Sequence, residues 1–250
     1  MVTRRLPAAL AFALALAAPV ARANDPAFDP SAEFDRARAA YDAGAPKAAA
    51  ARYEAILAAG YDAPELRFNL GNARFRAGDA PEAIRQYLIA ARARPRDPDI
   101  AKNLAYALEQ AGAARPSPPI LRAWARRLTA SEWLALAAVA WGLAALLLAA
   151  SFLAGRGRAP LRRAAAAAFA VALAAALGAL EWRDLARRPE AVVARADAPA
   201  RFAPLDNATV HFTLPAGSIV RVLGRDGAWR RVALDGREGW LPESDLLGVP

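Results

Sequence analysis

A spacing of 34 residues recurs three times near the N-terminus and constrains the fold more than any other feature. Pro30, Pro64 and Pro98 share one phase of it, and Gly44, Gly78 and Gly112 share another. Phe34 corresponds to Phe68, Tyr41 to Phe75, Ala49 to Ala83, Tyr53 to Tyr87, and Asn69 to Asn103. A unit of this length cannot bury its own apolar face, so copies must stack as helical hairpins. The prolines pre-set φ for a first helical turn, with Asp29 and Asp97 placed as N-caps and Gly78 ending a helix. Gly71 and Ala83 are small enough for the two helices of a hairpin to interlock.

The 250 residues carry a net charge of +9, which suggests a nucleic-acid partner until it is divided by segment. Residues 24–112 hold 12 bases and 13 acids, and residues 191–250 hold 7 of each. The excess lies in residues 1–23 and in residues 113–190, where 11 bases face 4 acids. Those segments flank apolar runs, where Arg meets lipid headgroups and fixes topology. Neither soluble module has the basic face that binding a nucleic acid requires, so no nucleic-acid partner is expected.

Arg4 and Arg5, an apolar run to Ala18, Pro19 and then Ala21-Arg22-Ala23 form a signal-peptide pattern over residues 1–23. An uncleaved first membrane helix is the alternative, and both place residue 24 on the outer side. Leu134 to Leu153 is uncharged and long enough to span a bilayer, and Ala164 to Leu180 is a second, Ala-rich run. These predict membrane helices over 132–154 and 164–182, joined by an Arg-rich loop at 155–163 that belongs on the cytoplasmic side. Trp133 and Trp182 would share the outer interface. Basic residues outside the hairpin match those in the loop, so the leader, not the charge count, decides the orientation. Thr129 and Glu132 have capping-box spacing. Before them, residues 113–131 read as a Pro-rich linker followed by an interfacial helix or by irregular chain, and residues 183–190 as a second linker.

From residue 191 the texture becomes short β-like runs. Ile219–Leu223 and Trp229–Leu234 are separated by Asp226-Gly227, and Asp235-Gly236 leads into Arg237–Pro242. Such strands over 191–250 suit a small all-β barrel. The fold class expected is therefore multidomain: all-α hairpins, a two-helix transmembrane hairpin, and the barrel.

Leu70-Gly71, Phe75, Gly78, Ala83, Tyr87, Ala90 and Pro95 resemble a tetratricopeptide repeat. Arg74 stands where that family has Tyr, and Phe75 is expected to supply the ring. The resemblance implies a concave peptide groove lined by Phe34, Arg38, Tyr41, Phe68, Asn72, Phe75, Lys102, Asn103 and Tyr106. Asn72 and Asn103 match groove asparagines of peptide-clamping members, whereas Phe68 replaces the clamp's basic residue, which favours an apolar segment. The competing reading is that Phe34, Phe68 and Phe75 fill the stack.

Leu214-Pro215-Ala216-Gly217-Ser218, Trp229 and Gly236 through Pro242 resemble a bacterial SH3 domain. That resemblance implies a ligand surface at Trp229, Trp240 and Pro242, although Asp245 stands where a groove Tyr is usual. Pro116-Ser117-Pro118-Pro119 is either a spacer or an internal ligand for it.

There is no Cys, and His211 is the only His. No phosphate loop, nucleophile elbow or dinucleotide fingerprint occurs, so neither an enzyme nor a cofactor or metal is expected. The order of leader, repeats, hairpin and barrel resembles the E component of the Bat aerotolerance family. That resemblance implies an inner-membrane adaptor with repeats and barrel on the periplasmic side, in a stress-tolerance complex with von Willebrand A-domain membrane proteins and a MoxR-type AAA ATPase. A peptidoglycan-binding wall sensor and a purely structural envelope protein are the alternatives.

Overall fold

The computed structural model describes residues 28–116, 120–154, 158–187 and 189–249. The leader, residues 117–119 of the Pro-rich linker and residues 155–157 of the Arg-rich turn lie outside them.

The repeat segment folds into α1 (Pro30–Asp42), α2 (Pro46–Ala58), α3 (Pro64–Arg76), α4 (Ala80–Ala93) and α5 (Pro98–Gln110). The three repeat-phased prolines each open a helix, where a missing N–H costs nothing. Asp29 and Asp97 accept from the next backbone amides, and Asp79 caps α4 in the same way. Gly44, Gly78 and Gly112 all sit at positive φ just past α1, α3 and α5. One apolar cluster joins α1, α2 and α3 around Tyr53, Ile56 and Leu70. A second joins α4 and α5 around Ile84, Tyr87 and Leu104.

A short helix α6 (Ile120–Ala125) leads into α7 (Ala130–Leu153), whose start carries the complete Thr129–Glu132 capping box. The chain returns along α8 (Arg158–Arg187), which begins three residues into the segment read as a loop from 155 and runs past Trp182. Both helices are long and apolar enough to cross a membrane, with mean hydropathy 2.2 and 1.9. Gly178 allows close approach: a Cβ there would lie 2.5 Å from the Trp133 ring. Trp133 is buried and donates to the Ala125 carbonyl at 2.6 Å, while Trp182 donates to that of Leu128 at 3.1 Å. The two indoles thus tie the turn after α6 onto the end of the hairpin.

The C-terminal segment contains β1 (Glu190–Val193), β2 (Ala198–Arg201), β3 (Val210–Leu214), β4 (Ile219–Asp226), β5 (Trp229–Leu234), β6 (Arg237–Pro242) and β7 (Leu246–Gly248). They form an antiparallel sheet in the order β3-β2-β6-β5-β4-β1-β7. Inward residues of β1 to β6, among them Val193, Ala200, Leu214, Val220, Val232 and Leu241, meet in one cluster, so the sheet curls around a single core.

β1 is buried on both faces. Ala191 and Val193 enter the sheet core, and by the strand's period of two Val192 points the other way. Val192, Ile219 and Val249 pack against Ile84, Leu88 and Leu108 of the repeats in one continuous cluster. Polar contacts close the seam. Ile219 donates to the Ala114 carbonyl at 2.9 Å, and the Ala114 amide to Ser218 Oγ at 3.2 Å. Arg85 Nε donates to the Gly248 carbonyl at 2.7 Å. At the hairpin end, Arg122 pairs with Glu181 and Asp184, Arg221 with Asp184, and Arg96 with Glu132. Repeats and sheet therefore stand together at one end of the apolar hairpin.

Candidate binding surfaces

Asn72 on α3 and Asn103 on α5 meet where their helices pack. Asn103 Nδ2 donates to Asn72 Oδ1 at 2.9 Å, and the buried Tyr87 hydroxyl donates to the same oxygen at 2.8 Å. Burial pushes the Tyr87 phenol well above its ordinary pKa, so it stays a donor at any working pH. Oδ1 of Asn72 is thereby filled, which fixes the amide orientation. Among the described residues, Asn72 Nδ2 and Asn103 Oδ1 have no protein partner. A donor and an acceptor side by side are what an extended peptide backbone requires.

Beside them Phe75 meets Tyr106 edge-on, with ring centroids 5.5 Å apart, and Tyr106 remains 52% exposed. Lys102 and Arg38 are also exposed. Tyr41 is half-buried beneath the Arg76 guanidinium, 4.6 Å from its ring. Phe34 and Phe68 turn into the stack instead, against Tyr53 at 5.4 Å and Tyr87 at 5.9 Å. The structure thus brings Asn72, Phe75, Asn103 and Tyr106 together and gives Phe34 and Phe68 packing roles.

Phe75 packs its ring against the second repeat cluster. Its side chain goes to Tyr106, and Arg74 fills its own place by pairing with Glu54 and Asp79. Tyr87, which orients Asn72, stood in the sequence only as a position of the repeat pattern.

On the sheet, Val232, Leu234, Gly239 and Leu241 point inward, leaving Trp229, Trp240 and Pro242 half-buried on the outer face. Register places Trp229 opposite Pro242, and Trp240 between Arg231 and Arg201. The surface is an aromatic strip flanked by guanidiniums, a feature that single-strand reading does not reveal. Asp245, in the place of a groove Tyr, is buried and forms an ion pair with Arg195 at 3.7 Å, so it contributes no ring to the strip. His211 is exposed on β3 and stacks on Phe202, centroids 4.1 Å apart. The described flank of the Pro-rich linker, Ala113 and Ala114, meets the sheet at Gly217–Ile219; residues 117–119 of its PxxP spacing are not described.

Residues 34–98 and 70–115 match the tetratricopeptide repeat, and residues 194–248 match the bacterial SH3 domain. No curated protein and no solved structure gives a significant match. The chain therefore carries tetratricopeptide repeats and a bacterial SH3 domain at one end of two helices long and apolar enough to cross a membrane.

Proposed function

We propose that this protein is a non-catalytic, membrane-anchored adaptor of the cell envelope. The observation that carries the reading is the shared core of Ile84, Val192, Ile219 and Val249, which holds repeats and SH3 domain as one platform. The repeat groove and the tryptophan strip then face outward at a fixed spacing. Anchoring through the hairpin raises the local concentration of both surfaces along the membrane. In this reading the Arg-rich turn is cytoplasmic and both modules are periplasmic, at the inner membrane.

The module order supports a place like that of the Bat family's E component. Its partners would then be von Willebrand A-domain membrane proteins and a MoxR-type ATPase. The half-exposed Trp229 and Trp240 favour a second reading, in which the strip binds peptidoglycan.

Photo-crosslinking in cells from Tyr106 and from Trp229 separates the two. The adaptor reading expects protein adducts at Tyr106, weakened roughly tenfold or more by Asn72→Ala with Asn103→Ala, since two backbone hydrogen bonds are lost. Capture by purified wall material, abolished by Trp229→Ala, with no protein adducts, would favour the sensor instead. Absence of both kinds of capture would contradict either reading.

A further inference from the structure

A cleft of about 290 Å³ opens where repeats, α6, hairpin and SH3 domain converge. Arg92, Arg115, Arg126, Arg127, Glu190 and Trp182 line it, with Leu88 and Leu185 as apolar walls. We propose that this cleft binds the phosphate of an anionic membrane lipid, held by Arg115 and Arg127.

The charge inside it is unbalanced. Four guanidiniums line it beside one lining carboxylate, Glu190, which Arg126 at 2.9 Å and Arg92 at 3.4 Å share, and Arg126 also pairs with Glu181 at 3.8 Å just outside the cleft. Arg115 and Arg127 form no ion pair among the described residues. Arg126 Nε is buried without a hydrogen-bond partner. Burial also disfavours the Arg92 cation and pushes its pKa down. Arg115 and Arg127 present exposed guanidiniums at this cleft beside the paired Arg92 and Arg126, and a phosphate matches their planar fork.

Position selects the source of that phosphate. Trp182 forms a wall of the cleft at the end of the apolar part of α8, and its indole is fixed on the Leu128 carbonyl. Tryptophans at helix ends mark the headgroup level of a bilayer, where lipid phosphates lie. The apolar walls suit a glycerol backbone better than a free ion. The site rests on the reading that α7 and α8 span the membrane.

The test uses the full chain in phosphatidylcholine nanodiscs containing a minority of phosphatidylglycerol, with retained lipid counted by native mass spectrometry after release. Wild type is expected to keep phosphatidylglycerol selectively. R115Q with R127Q should weaken retention on the order of tenfold, at about a fewfold per Arg. R115K with R127K keeps the charge but loses the fork and should fall between wild type and the Gln pair, whereas R162Q with R163Q at the far end of α8 should retain the lipid.

Equal loss in the Gln and Lys pairs, or in the far-end control, would overturn the site, as would absence of selectivity. Full displacement by millimolar inorganic phosphate would assign the cleft to a free anion instead. Alkaline extraction separates the two levels. If the chain leaves the membrane, the spanning reading fails and the site with it. If it stays but retains no phosphatidylglycerol, only the site fails.

Discussion

Replacing Ile84 with aspartate is expected to detach the SH3 domain from the repeats and to split a single thermal transition into two. Ile84 is fully buried on α4 and lies in the cluster that includes Val192, Ile219 and Val249. It also faces Gly217, where a Cβ would come within 2.7 Å of Ile84 Cδ1. A carboxylate at 84 would be buried in that apolar seam, at a cost of about 4–5 kcal/mol or more. Ile84→Ala removes only methyl groups and should cost about 2–4 kcal/mol, without necessarily undocking the modules. Ile56 belongs to the other repeat cluster, away from the SH3 domain. Ile56→Ala should therefore lower repeat stability and leave the docking intact. Calorimetry, combined with protease access to the chain between Ala113 and Ile120, reads all three variants. An Ile84→Asp protein that still melts once, with that segment protected, would mean the seam contributes little.

Gly71→Val is expected to disrupt the repeat groove more severely than any change on its exposed surface. A Cβ at position 71 would lie 2.6 Å from Tyr87 Cε1 and 2.7 Å from Cδ1, inside contact distance of a ring that is only 2% exposed. The ring has nowhere to go, because its hydroxyl is held by Asn72 and its face by Phe68. Forcing α3 and α4 apart should cost about 3 kcal/mol or more and release the Asn72–Asn103 pair. Tyr87→Phe separates packing from orientation. It keeps the ring, removes the donor to Asn72, and should cost about 1 kcal/mol. Partner binding should then weaken with little loss of helicity. Circular dichroism beside binding of a crosslinked partner distinguishes them, and equal effects of the two variants would contradict this account.

The parts legible in the sequence are those fixed by local chemistry. Prolines at 30, 64 and 98 open helices because a fixed φ and a missing N–H suit a first turn. Thr129 and Glu132 form their capping box because both partners lie within one turn. Asp235-Gly236 joins β5 to β6 as a tight turn requires.

What escaped was the docking of one module on another. Composition alone cannot tell which of two cores Val192, Ile219, Val249, Leu88 and Leu108 enter. One signal was present. Glu190-Ala191-Val192-Val193 does not alternate, as expected of a strand covered on both faces. Asn72 and Asn103 were pointed to only by the resemblance to the tetratricopeptide repeat, and the tyrosine that aims Asn72 acts from the neighbouring helix. Its role depends on tertiary geometry.

The absence of cysteine allows a direct measurement of the central claim, that repeats and SH3 domain form one platform on one side of the membrane. Arg85 and Gly248 meet across the seam through a 2.7 Å hydrogen bond. Cysteines at both positions in the full chain, treated in spheroplasts with a short membrane-impermeant bismaleimide, should crosslink within one chain in high yield. Single labelling of either cysteine without the crosslink, or protection of both until the membrane is opened, would contradict it.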